Sequence, residues 1–433
     1  MSASSLDRAL AYLDDHINLE ATAGQVEGLS LERMRTLAKF LGDPQVDYPV
    51  IHITGTNGKG STAALVTALL SAAGLSVGTY SSPHVSAINE RFQNNSEPID
   101  DESLADLLLT MQVVEQALAD TPSWFELVTA AAFRWFADEA VDVAVVEVGK
   151  LGRYDATNVA DARVAVVTNV GYDHTDGSPG WRAAVAGEKA GIIKPGSTLV
   201  LGETDEELRH VFEAEPAERT IVRDEDFMTE ANSLAVGGRL VDLHTPRSSL
   251  QEIFLSLHGY HQGRNAAIAL AAAEEFLDAP LGEEVVADAF GSMRLRGRFE
   301  VLGRQPLVVV DGAHNPDGAA AALRTMEEDF THAGRSIMIL GMMRERDPVS
   351  MLEAIGASRA DLLIACSPPW VRALPADELG RAADTLDIEV EVIADVGEAL
   401  ARALALADEN DAIFALGSLY VAGAARDAYA DLA

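Results

Sequence analysis

"VIHITGTNGKGSTAALV", residues 50–66, decides how the chain is read. A β-branched run, a glycine-rich turn carrying a lysine, and an apolar stretch of helical composition follow one another without a gap. Such a strand–turn–helix unit binds anions. Closely spaced glycines let backbone N–H groups approach an oxyanion, and the start of the helix adds partial positive charge. The usual phosphate loop is a glycine, four residues, then Gly-Lys-Ser/Thr. Counted back from Lys59, the leading glycine falls at Ile53, and Gly60 stands where the hydroxyl belongs. The loop is therefore a variant. Gly55, Thr56, Asn57, Gly58, Lys59, Gly60, Ser61 and Thr62 are expected to cradle the phosphates, with Lys59 on the β- and γ-phosphate oxygens.

Working outward, short β-branched runs alternate with Ala/Leu-rich helical stretches, the pattern of a parallel α/β sheet. "YPVIHIT", "LSVGTYS", "VDVAVVEV" and "ARVAVVTNV" are expected strands, each followed by a polar or glycine-containing turn. Ligands of open parallel sheets gather beyond the carboxyl ends of the strands, so these turns are expected to face one cleft. A second series begins after "RLRGRFEVLGRQ", with "PLVVVDGA", "SIMILGMM", "ADLLIACS", "IEVEVIAD" and "DAIFALGS" as strands. The boundary is placed at Gly297, giving domains 1–296 and 297–433. The polar segment Glu203–Gln251 reads as irregular or antiparallel structure appended to the first domain. "MSASSLDRALAYLDDHIN" reads as an amphipathic helix without the apolar core of a signal peptide.

Composition narrows the partners. The formal net charge is −36. That surface repels nucleic acid and anionic membrane, and neither is an expected partner. It equally repels nucleotides, so a bound phosphate requires a local positive cluster or a metal. The acidity itself fits solubility or a salty habitat. A single cysteine, Cys366, excludes an internal disulfide framework and fits a cytoplasmic location.

"GTNGKGS" resembles the loop of the Mur ligase superfamily, above all that of the folylpolyglutamate synthase/dihydrofolate synthase family. The resemblance runs through the chain in order: "GLSLERMRTLAKFLG", "YSSPHVSAINERF", "WFELVTAAAF", "GRYDATNV", "GEKAGIIKPG", "GYHQGRNAAIAL", "RGRFEV", "DGAHNPDG" and "GSLYVAGAAR". It implies an N-terminal P-loop ATPase domain on a parallel sheet and a smaller C-terminal Rossmann-like α/β domain. It implies a monomeric, ATP-dependent ligase that adds L-glutamate to dihydropteroate, reduced folates, or both.

The resemblance also assigns residues. Ser82, Glu147 and His174 take magnesium, two ions in all. On the residues alone, Glu147 reads as functional because an acid closing a very apolar strand needs a partner. Ser82 and His174 fit local turn bonding equally well, and His is an unusual magnesium ligand. Lys189, otherwise an ordinary helix-surface lysine, matches a position commonly carbamylated in the family. Lys59, Glu147, His174 and Lys189 form the implied catalytic set. Asn265 is implied near the base or ribose, Arg298 at the terminal phosphate, and Asp311 and His314 complete the nucleotide site when the domains close. Trp124, Phe125, Arg153 and Asp155 are implied around the pteroate-like acceptor, although aromatics at helical spacing also suit a core.

The chain departs from the family in "EVGKLGRYDATN", where Lys150, Leu151 and Tyr154 replace smaller or apolar residues. It departs again at "DGSPGW", and at Arg346, where the family tends to have lysine. Rival readings are a ligase of a UDP-linked precursor, disfavoured by the roughly fifty residues before the loop, an inactive nucleotide-binding homologue, and a simple phosphotransferase.

Overall fold

The computed structural model describes residues 4–18, 30–173, 177–331 and 334–432. The opening stretch forms β1 (Val50–Thr54) and the helix Lys59–Ala72. With β1 run β2 (Val77–Tyr80), β3 (Phe92–Asn94), β4 (Glu97–Pro98), β5 (Val143–Glu147), β6 (Ala162–Val167), β7 (Thr198–Leu201) and β8 (Arg219–Val222). They make one sheet ordered β4-β3-β2-β5-β1-β6-β7-β8, parallel except where β3 and β4 close one edge.

Burial on both faces explains why these strands read as unbroken apolar runs. Ile51 and Ile53 enter the core beneath the helices Lys59–Ala72 and Tyr260–Leu277. Val50, Ala144 and Val146 enter a second core with the helix Trp124–Asp138. The carboxyl ends of β1, β5 and β6 lie side by side, Ile53 opposite Glu147 and Thr54 opposite Val167. Their turns therefore share one edge, as expected.

Segment 203–251 is half as expected. β9 (Met228–Ala235), β10 (Gly238–His244) and β11 (Ser249–Leu255) do form an antiparallel sheet. The helix Glu206–Glu213 and β8, however, extend the parallel sheet. β8 is an edge strand with an exposed first residue, so it lacks the apolar run that betrays a central strand.

The second sheet comprises β12 (Glu300–Arg304), β13 (Leu307–Val310), β14 (Ser336–Leu340), β15 (Leu362–Ala365), β16 (Val390–Val392) and β17 (Ala412–Leu416), ordered β12-β13-β17-β14-β15-β16. All five expected strands are present, with antiparallel β12 added at the edge. The first helix, Ser5–Asp14, starts in a capping box between Ser4 and Asp7 and turns Ala9, Tyr12 and Leu13 inward. Arg239 on β10 and Asp329, at the end of the helix Pro316–Asp329, pair at 2.5 Å with both side chains almost wholly buried, tying the antiparallel sheet to that helix. Among the described residues, no helix is long and apolar enough to cross a membrane.

Candidate active site

Each glycine of the loop makes room for a different neighbour. A Cβ on Gly55 would lie 1.8 Å from Thr168 Oγ1, and one on Gly60 would lie 3.3 Å from Glu147 Oε2. Gly58 begins the helix at φ +82°, where a Cβ would meet Asn265 Oδ1 at 2.7 Å. A side chain at Gly55 or Gly58 would push the loop off its supports. Those supports follow β6. Thr168 Oγ1 donates to Asn57 O (2.6 Å), Thr56 N donates to Asn169 O (3.0 Å), and Asn57 N donates to Asn169 Oδ1 (3.0 Å). Lys59 Nζ folds back to donate to Gly55 O and Thr56 O at 3.2 and 3.3 Å. Ser61 and Thr62 are buried, and Thr62 Oγ1 has no hydrogen-bond partner among the described residues.

Glu147 sits beside the loop, buried, and its Oε2 accepts from Ser82 N at 3.2 Å. Burial raises its carboxyl above the ordinary range, against the pull of Lys59, Arg298, the Ser82 N–H and Arg91. Lys189 is not the surface lysine its spacing suggested. On the helix Trp181–Ala190 it is 3% exposed, and burial together with Lys59 pulls its ammonium pKa down to about 7, against Asp173. The period of a short helix does not say which face a loop will cover. His174 lies outside the described residues.

The second sheet supplies the other wall. Asn315 caps the helix Pro316–Asp329 through its Oδ1 and Gly318 N (2.8 Å). Its Nδ2 donates to Asn57 Oδ1 at 2.9 Å, and Asn57 Nδ2 donates back to its Oδ1 at 3.3 Å. Asp173, after β6, meets Arg346 at 2.5 Å and His314 Nε2 at 3.5 Å. Asp311 accepts from Phe299 N and Ala313 N, both at 2.7 Å, fixing the turn that carries Arg298. Burial raises the Asp311 carboxyl, while Arg298 and these donors oppose the rise.

The loop, Ser82, Glu147, Lys189, Asn265, Arg298, Asp311 and His314 thus converge on one cleft edge. The residues expected around an acceptor do not all join them. Trp124 is buried, with the Arg91 guanidinium 4.8 Å above its ring. Phe125 packs against Gly149, where a Cβ would be 2.3 Å from its ring, and lies 6.2 Å from the Tyr80 ring. Arg153 donates to Gly187 O and pairs with Glu215. Asp155 accepts from Lys150 N (2.8 Å) and Thr157 N (3.0 Å), shaping the turn after β5. Asn315 and Asp173 escaped the sequence reading. The one signal for Asn315 was an Asn directly before a Pro-initiated helix, which reads as a cap and not as a clasp.

A helix N-terminus with its lysine, a buried carboxylate and an arginine from the opposite wall suit transfer of a phosphoryl group in a closed cleft. Residues 53–273 match the Mur ligase middle domain, and residues 297–419 match the Mur ligase glutamate ligase domain. A dihydrofolate synthase/folylpolyglutamate synthase of Mycobacterium tuberculosis is 35% identical, with 92% of this chain and 89% of that protein covered. The structure of Mycobacterium tuberculosis folylpolyglutamate synthase complexed with ADP is similar at a TM-score of 0.91 and 33% identity, over 98% of both chains. A bifunctional folylpolyglutamate synthase/dihydrofolate synthase with Mn, AMPPNP and L-glutamate bound gives a TM-score of 0.84 at 27% identity, covering 99% of this chain and 98% of that one.

Proposed function

Because this chain belongs to the folylpolyglutamate synthase/dihydrofolate synthase family of Mur ligases, we propose that it joins L-glutamate to dihydropteroate, to reduced folates, or to both, at the expense of ATP. The observation that carries the reading is the phosphate loop held between buried Glu147 and the Asn315 clasp of the second sheet. A carboxylate resists an incoming amine, because resonance and negative charge both oppose attack. Moving the γ-phosphoryl group of ATP onto the acceptor carboxylate makes an acyl phosphate, whose phosphate leaves readily. The amino group of glutamate then attacks the carbonyl, loses a proton, and expels phosphate to leave an amide.

Lys59 and Arg298 offset charge on the transferring group from opposite sides, and Asn57 with Asn315 draws the second wall over the loop. Closure excludes water, which otherwise hydrolyses the acyl phosphate. Holding both reactants in one cleft contributes further, since oriented pairs reach effective molarities of about 10⁵ M or more.

A divalent metal fits these residues. Glu147 is a buried hard-oxygen donor whose ionised form is disfavoured without a cation, and the Ser82 backbone packs against it. Glu147 and Ser82, with His174, would hold magnesium, which when bound neutralises phosphate oxygens. Lys189, whose pKa is pulled down to about 7, offers near neutral pH the free amine that carbon dioxide requires, and we assign it as carbamylated and able to serve a second ion. The division into 1–296 and 297–433, a monomeric working unit and a cytoplasmic location complete the proposal. Both walls of the site come from one chain.

The test is amide formation read by mass spectrometry beside phosphate release, with dihydropteroate and tetrahydrofolate as acceptors. Lys59→Ala, with its folding verified by circular dichroism, is expected to lose at least about 10³-fold in rate. Undiminished synthesis by that variant overturns the reading.

A further inference from the structure

The helix Pro316–Asp329 closes on Glu327, Glu328 and Asp329, with no basic residue in its last turn. A carboxylate at that end is repelled by the partial negative charge of the helix terminus. The Asp329 side chain is also wholly buried, so its presence there calls for a reason other than helix stability. Its two oxygens go to different partners. Oδ1 pairs with Arg239 of the antiparallel sheet at 2.5 Å, which offsets the charge. Oδ2 accepts from Gly259 N at 2.7 Å, while His258 Nδ1 stays 3.9 Å away. Charge balance needs Arg239 alone. The bond to a backbone N–H fixes a position.

Gly259 stands directly before the helix Tyr260–Leu277, at φ +98°. A Cβ on it would lie 2.5 Å from Thr325 Oγ1, one turn back along the Asp329 helix, so the two helices meet at bare backbone. From there the contacts run to the phosphate loop. Gln262 N donates to Gly259 O at 3.0 Å, and Asn265 Nδ2 donates to Gln262 Oε1 at 2.9 Å. Gln262 and Asn265 are both buried, and Asn265 Oδ1 occupies the space that a side chain at Gly58 would need. The opposite end of the Asp329 helix is the Asn315 clasp on Asn57, about 21 Å away for a helix of 14 residues. One helix of the second wall therefore holds the phosphate loop at Asn57 directly and at Gly58 through Asn265.

We propose that Asp329 is a positioning residue for the nucleotide: its tie to Gly259 N sets the start of the helix Tyr260–Leu277 and, through Gln262, the Asn265 amide against the phosphate loop. The inference rests on the nucleotide site of the proposed ligase and adds to it a residue that lies behind that site. A helix start released from Asp329 is free to turn or slide. Asn265 lies about 9 Å further along the same axis and follows it. The loop then loses one of the supports that hold its N–H groups on the phosphates.

The experiment separates the tie from the ion pair. Both residues of the pair are changed, so that no lone charge is left buried. Arg239→Met/Asp329→Asn keeps an amide oxygen for the Gly259 N–H, and Arg239→Met/Asp329→Leu, of the same branched shape, removes it. Arg239→Met/Asp329→Ala is a second removal that leaves the fold more room. Affinity for ADP with magnesium is read by titration calorimetry, with nucleotide-free Tm beside it. Each removal is expected to weaken ADP about five-fold or more relative to the asparagine variant, the loss of one neutral hydrogen bond. Adding Asn265→Ala to each variant should erase that difference. Equal ADP affinity across the three variants, whatever their Tm, overturns the proposal. So does a difference that survives Asn265→Ala, which would route the effect elsewhere. Wild type that binds no ADP sinks the nucleotide site itself, and the two failures are distinct.

Discussion

Asn57→Ala removes the only side-chain amide that the phosphate loop exchanges with Asn315. Both hydrogen bonds go, and Asn315, fully buried, keeps its cap to Gly318 N while its Nδ2 loses its acceptor. Two neutral hydrogen bonds contribute about 1 kcal/mol each, and a stranded buried donor costs roughly 1 kcal/mol more. The closed cleft is thus expected to lose about 2–3 kcal/mol, which is about 30- to 160-fold in kcat/KM for ATP. Asn315→Ala should lose about 1 kcal/mol beyond that, because it also strips a helix cap. The double variant should be no worse than Asn315→Ala alone, giving a coupling equal to the whole Asn57→Ala loss, about 2–3 kcal/mol. The assay is phosphate release beside amide product, with thermal unfolding as the control for folding. A looser cleft admits water, so phosphate should also exceed amide in the single variants. Losses that simply add, within about 0.5 kcal/mol, refute the clasp.

Three further outcomes follow from buried charge. In metal-free protein, Glu147→Gln should raise Tm at pH 8. Burial raises the folded carboxyl above its ordinary 4.5, so the native state holds the extra proton in a window that opens at 4.5, and wild type loses stability as pH rises through that window. The variant should also lose the rise in Tm that magnesium gives wild type; a lower metal-free Tm at pH 8 contradicts this. Lys189→Met in carbon-dioxide-free buffer should stabilise by on the order of 4 kcal/mol near pH 6. Here the unfolded state binds the extra proton between about 7 and 10.5, so wild type recovers stability across that range and the gain should vanish towards its top. A gain independent of pH would exclude a titrating amine. Arg239→Met should cost about 3–5 kcal/mol in denaturant unfolding, because it removes the arginine paired with the fully buried Asp329 carboxylate and leaves that charge only the Gly259 N–H at hydrogen-bond distance; a loss under 1 kcal/mol would show the pair to be incidental.

What the amino acids determine alone is local. The run Val50–Thr54, the glycines after it and the apolar helix beyond need only neighbouring residues to specify strand, anion-binding turn and helix, and the same local logic placed the five strands of the second sheet. Motifs carried Glu147, Arg298 and Asp311 for the same reason, each closing or following such an element. Tertiary structure alone decided what depends on meeting across distance. Lys189 became a buried amine within reach of the charges of Lys59 and Asp173, Asn315 became a clasp because the second sheet brings it to Asn57, and Trp124 sank beneath Arg91. β8 joined the main sheet through its pairing with β7 and not through any pattern of its own. Spacing along a chain fixes which side chains share a face, but the environment that sets a charge or completes a hydrogen bond is supplied by residues far along the chain, as Asn57 and Asn315 are 258 positions apart.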